Sequence, residues 1–118
     1  MELDGRYVDM EAGLGRVRGN KKLYLRMLKM YLDGTEGAQL EAALATGDTG
    51  QAADVAHAIK GIAGNLSFPA LFEASTQLME GLRQGNHDPA DVAAFKTAQE
   101  KTHAMVTSLV AELEEEMG

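Results

Sequence analysis

Ala56-His57-Ala58-Ile59-Lys60-Gly61-Ile62-Ala63-Gly64-Asn65-Leu66 reads as helix, yet it holds two glycines, each costing about 1 kcal/mol against alanine in a helix interior. At about 100° per residue, Val55, Ile59, Ile62 and Leu66 fall on one side as a core stripe. His57, Lys60, Gly61 and Gly64 fall on the opposite side. That second face sets an imidazole and a cation beside two residues with no side chain, and packing gives no reason for it. Helix–helix close approach could use glycine, but it is expected on the Val55/Ile59/Ile62 side.

The flanking sequence repeats helical periodicity and shows no β-branched alternation. Residues 1–8 read as a flexible arm. Asp9 caps a short helix to Arg18 with Leu14 and Val17 inward, and Gly19-Asn20 ends it. Asn20 caps a longer helix whose apolar face (Leu25, Leu28, Leu32, Leu40, Ala43, Leu44) runs to Thr46, with a kink or loosened turn expected near Gly34 and Gly37. Its other face carries Lys21, Lys22, Arg26 and Lys29, either a solvated surface or a contact for an acidic partner. Gly47 closes that helix, and Asp48-Thr49-Gly50-Gln51 opens the one bearing His57. After Ser67-Phe68, Pro69 starts a fourth long segment with Leu71, Ala74, Leu78 and Leu82 inward. Asp88-Pro89 opens the last helix, with Val92, Phe95, Thr102, Met105, Leu109 and Leu113 inside and a solvated glutamate tail. Short connections place consecutive helices antiparallel. The expected fold is all-α, an up-down antiparallel four-helix bundle over residues 9–116 with a short additional N-terminal helix. The seven methionines and three phenylalanines are expected to fill its interior.

Composition excludes several function classes. With 118 residues, one domain with a modest core is expected. No cysteine is present, which removes disulfides and thiolate metal sites and fits a reducing cytoplasm. No apolar run reaches the roughly 18 residues of a membrane span, and no signal-peptide pattern opens the chain. A net charge of −7 opposes binding to nucleic-acid phosphates. The charge is also uneven: residues 1–30 hold seven basic and four acidic side chains, residues 31–118 four basic and fourteen acidic. Lys60 is one of those four cations, three positions after His57.

A neutral imidazole is a nucleophile near neutral pH. Gly61 and Gly64 would let a partner approach it closely, and Lys60, on the adjacent turn, could neutralise a phosphoryl group carried on it. The spacing is coherent for a phosphoryl carrier. A metal-binding bundle is disfavoured, because His57, His87 and His103 are dispersed and none has a His or Glu partner at i+3 or i+4. His87, in the Asn86–Asp88 loop, and His103, on the outer side of the last helix, are expected to be solvated.

The quoted stretch resembles the signature of histidine-containing phosphotransfer (HPt) domains, roughly A-H-x-[IL]-K-G-x-A-G-N-[LIF]. The resemblance extends over about residues 9–113, through the Gly19-Asn20 turn, the Ala-Leu-Ala-Thr-Gly-Asp run before the histidine helix, and Leu78 to Gly85 after it. It implies that His57 is phosphorylated, that Lys60 assists, and that Gly61 and Gly64, with Ala53, Asn65 and Met79 around them, form the docking surface for a receiver domain. It further implies a monomeric cytoplasmic phosphorelay intermediate, taking the group from a receiver phospho-aspartate and passing it to another receiver. The partners would be receivers of response regulators or of a hybrid histidine kinase, with neither nucleic acid nor membrane insertion involved. No cofactor would be bound here; the Mg²⁺ would belong to the receiver. One departure stands out: family members often place Glu or Gln 22 residues after the histidine, to hydrogen-bond the imidazole, and here that position is Met79, with Gln77 and Glu80 nearby. The dimerisation helix of a sensor kinase would need an acidic residue after the histidine, where Ala58 stands. The chain also has no glycine-rich nucleotide motif, so no autonomous kinase activity is expected. A helical interaction module that docks a signalling partner without phosphotransfer is the alternative.

Overall fold

The computed structural model describes residues 2–86 and 88–117. Met1 of the expected arm and the loop residue His87 lie outside the described residues. Among the latter are six helices and no strand: α1 (Met10–Arg16), α2 (Lys21–Asp33), α3 (Glu36–Thr46), α4 (Thr49–Leu66), α5 (Pro69–Arg83) and α6 (Pro89–Met117). The starts of α1, α2 and α4 are set by side chains that satisfy orphan backbone donors of the first turn, whereas α5 opens with Pro69 and has no side-chain cap. The Asp9 carboxylate accepts from the Ala12 N–H at 3.1 Å, Asn20 from Leu23 at 3.0 Å, and Asp48 from Gln51 at 3.0 Å. Gly47, at φ 75°, ends α3 in the left-handed conformation that glycine tolerates.

The bundle has four legs, with α2 and α3 sharing the first. The interruption expected near Gly34 and Gly37 goes further than a kink or loosened turn, and the long helix from Asn20 to Thr46 is two helices. Gly34 is extended (φ −68°, ψ 151°), and Thr35 is also non-helical before α3 begins. Both pieces nevertheless face α6: Tyr31 Oη donates to Gln99 Oε1 at 3.0 Å, and Leu40 and Phe95 line one groove between the legs. At about 1.5 Å per residue, the 29 residues of α6 span nearly the whole 46 Å length of the molecule. The core holds Tyr24, Leu28, Leu40, Ile59, Leu66, Phe68, Leu71, Leu78, Phe95, Val106 and Leu113, all buried. The interior takes fewer of the soft side chains than expected, since Met30, Met117 and Phe72 are exposed. On the basic face of α2, Lys29 pairs with Glu114 of α6, while Lys21, Lys22 and Arg26 are exposed.

The expected flexible arm is docked from residue 3 onward. Val8 is buried, and Leu3 packs against the core. The Asp9 N–H donates to the Ser67 carbonyl and the Ala70 N–H to the Arg6 carbonyl, both at 2.8 Å, stitching the segment to the α4–α5 corner. Within it, the Arg6 guanidinium and backbone N–H hydrogen-bond the Asp4 carboxylate and hold its pKa down to about 2.

Helix α4 packs most extensively on α5, next on α3, and touches α1 and α2. Surrounded on those sides, it keeps one outward face, and that face carries His57.

Candidate functional site: an exposed histidine face on α4

The helical wheel of α4 is realised with one correction. Val55, Ile59 and Leu66 are buried and Ile62 is partly so, whereas His57, Ala58, Gly61 and Asn65 are exposed. Close helix packing lies elsewhere than expected. The tightest pair is α4 with α5, and α5 is on the Lys60 flank, where Phe72 meets both Lys60 and Gly64. Ala53, Ala56 and Ala63 belong to that flank and are buried; their short side chains let the two backbones come together.

This packing corrects two of the expected docking residues. Ala53 is only 3 % exposed and Met79 only 6 %, so both lie beneath the surface instead of on it. Ala53 is about 40° round the helix from His57, and an isolated helix would expose it; α5 covers it. Antiparallel α5 brings Phe72 to Gly64 and, two turns further, Met79 to the level of His57. The Met79 thioether is at best a weak acceptor. The His57 imidazole makes no hydrogen bond and no ion pair among the described residues, and Gln77 turns to the other side of α5, lining a hollow with Tyr7.

Lys60 is half-buried, and its Nζ stands 5.6 Å from the centre of the Phe72 ring. No carboxylate pairs with it among the described residues. The two glycines differ in surroundings. A Cβ built on Gly61 meets nothing within 4 Å, and one built on Gly64 lies 3.4 Å from the Phe72 ring. Phe72 itself is 41 % exposed, against the expectation that phenylalanine fills the interior. The signal was available: Phe72 is off the inward stripe of Leu71, Ala74, Leu78 and Leu82.

Chemically, the site is a nucleophile on an open convex face beside an unneutralised cation. His57 lines none of the five best-formed hollows among the described residues, so none of these would enclose a small substrate against it. Among the described residues no group of three or more His, Asp or Glu side chains is arranged to hold a metal ion. His103 is exposed on α6, tilted against Tyr31 with ring centres 6.1 Å apart. No described helix is long and apolar enough to cross a membrane.

The fold is similar to that of a crystallised HPT domain from the Hpt sensor hybrid histidine kinase of Shewanella, with a TM-score of 0.82 over 92% of this chain and 97% of that one, at 16% identity. No curated protein matches the sequence. The family model for the Hpt domain matches residues 26–117, taking in His57, Lys60, Gly61 and Gly64, and the chain therefore belongs to the Hpt domain family, the histidine phosphotransfer domains of two-component phosphorelays.

Proposed function

We propose that His57 is the phosphoryl-carrying residue of a relay intermediate, loaded from a phospho-aspartate on one receiver domain and unloaded onto the aspartate of another. The observation that carries this reading is the open face of α4, where the imidazole is exposed and the next turn on its own face is Gly61, with nothing within 4 Å of an added Cβ. In the forward step the lone pair of a ring nitrogen attacks phosphorus in line. The P–O bond to the aspartate breaks, the carboxylate leaves with its electron pair, and an N–P bond forms. Lys60 offsets charge on the phosphoryl oxygens, as cations do in phosphoryl transfer generally. Gly61, Gly64 and Asn65 border the approach path, so the partner's backbone can close to the roughly 3–3.5 Å that near-attack geometry requires. Mg²⁺ chemistry is assigned to the receiver.

The test is label transfer from a phosphorylated receiver to the purified chain. Wild type gains label on histidine, and His57→Gln gains none while keeping its helical content. A wild-type chain that takes no label from any cognate receiver, or a His57→Gln chain that takes it equally well, refutes the reading. The first of those results leaves a docking module without transfer, detectable as receiver binding alone.

A further inference from the structure

Gly61 and Gly64 look equivalent on a helical wheel, but the structure separates them. The space over Gly61 is open, whereas the space over Gly64 is taken by the ring of Phe72, 3.4 Å from where a Cβ would stand. Phe72 thus lies across the α4 backbone at Gly64, and the Lys60 ammonium sits 5.6 Å from its ring centre. We propose that Phe72 is a positioning residue for Lys60: seated on Gly64, its ring holds the ammonium on the His57 face of α4 without neutralising it. The proposal rests on the assignment of His57 as phosphoryl carrier.

The chemistry favours an aromatic for this task. A lysine ammonium rides a flexible four-carbon stem, and freezing its rotamers at the moment of reaction opposes transition-state binding. A carboxylate would hold it still but would cancel the charge and have to be displaced by the incoming phosphoryl group. A ring face attracts the cation through its quadrupole and carries no net charge, so the ammonium stays available. Lys60 has that ring and no carboxylate among the described residues. At Gly64 a methyl would only touch the ring, while a larger side chain would lift it from its seat.

The experiment uses the full chain and phosphoramidate, a donor too small to exploit any docking surface. A ring nitrogen of His57 attacks phosphorus, the donor's P–N bond breaks, and ammonia leaves. Loading and hydrolysis are followed by phosphorus NMR, and the Lys60 ε-methylene by its proton shift, which a nearby ring moves upfield. Phe72→Leu should lose the ring shift and slow loading about two- to fivefold, the range expected of a partly exposed cation–π contact. Phe72→Tyr, which keeps the π face, should retain both. In a Lys60→Ala background Phe72→Leu should have no further effect. An equal slowing with and without Lys60, or a Phe72→Leu chain with wild-type shift and rate, overturns the positioning role. If wild type does not load, or His57→Gln loads as well as wild type, the assignment of His57 fails and the proposal with it.

Discussion

Replacing Gly61 separates folding from docking more cleanly than any other change on this surface. The residue lies inside α4 without a positive φ, and an added Cβ touches nothing within 4 Å. Gly61→Ala therefore gains the helix-propensity difference, about 1 kcal/mol, with no steric offset. For a chain of 118 residues, an unfolding entropy of roughly 2.1 cal/mol/K per residue turns that into a rise in Tm of about 4 °C. Gly61→Arg should match or exceed wild type in stability, since arginine is also a good helix former. Its side chain nevertheless stands one turn from His57, where a receiver must come within bonding reach, and misplacement by about 1 Å can cost 100-fold. Transfer from a phosphorylated receiver should fall at least ~100-fold, while loading of the same variant by phosphoramidate stays close to wild type. Thermal melts and the two loading assays together decide the matter. A Gly61→Ala chain less stable than wild type would mean that Gly61 packs against something, and a Gly61→Arg chain within threefold of wild type in receiver transfer would remove it from the docking surface. Gly13 is the internal control. A Cβ there falls 2.6 Å from a Tyr24 ring carbon, so Gly13→Ala should destabilise by about 1–3 kcal/mol through overpacking and leave phosphoramidate loading of the folded fraction unchanged.

Three further outcomes are expected. Thr102 Oγ1 is buried with no hydrogen-bond partner, so Thr102→Val should stabilise by about 1 kcal/mol, measured by urea unfolding; a loss of stability would reveal a partner for the hydroxyl. Tyr24 Oη donates to the Leu66 carbonyl at 3.0 Å in the interior, so Tyr24→Phe should cost about 1 kcal/mol at pH 7. Burial, with the Asp9 carboxylate adding to it, pushes the Tyr24 phenol up from 10.0 to about 12, and burial raises Tyr31 as well. Above pH 10 the unfolded chain therefore releases protons that the folded chain keeps. The stability these phenols contribute is complete below pH 10 and is lost as pH rises through the folded values, at up to about 1.4 kcal/mol per pH unit per tyrosine. The deficit of Tyr24→Phe should accordingly shrink between pH 10 and 12, and a constant deficit in unfolding experiments across that window would contradict the assigned shift.

Periodicity and capping chemistry made most of the bundle legible, because both act within a turn or two of sequence. Asp9, Asn20 and Asp48 announced three helix starts, and the core stripe of α4 followed from its spacing. Failures came where distance in sequence mattered. A helical pattern crossing Gly34 cannot distinguish a kink from two non-helical residues, since both keep the apolar face in phase. Val8 carries no local sign that Ser67 and Ala70 will fix the chain beside it. Ala53 enters the docking surface only through the resemblance, and the close approach of α5 to α4 along a row of alanines leaves it buried. Met79 sinks by the same approach, which takes the position often held by a hydrogen-bonding residue out of reach of solvent and leaves a thioether at the level of His57.

That close approach also bears on why α4 tolerates Gly61 and Gly64. Together they weaken the helix by about 2 kcal/mol, while the Asp48 cap contributes about 1 kcal/mol and burial of Val55, Ile59 and Leu66 about 1.5–3 kcal/mol each. The helix is held by its packed face, so residues on the outward face are free to be poor helix formers. Freedom alone does not explain why the poor formers are glycines one and two turns beyond the histidine. Local rules are expected to be broken where function is served, and here they are broken twice for different reasons. Gly61 leaves space that no described residue fills, which is what a partner needs, and Gly64 lies under Phe72, where a methyl fits but anything larger would displace the ring beside Lys60. If that division is right, enlarging Gly61 must hurt only reactions in which a receiver takes part. Enlarging Gly64 beyond alanine must also slow loading by phosphoramidate, because it displaces the ring that holds the cation.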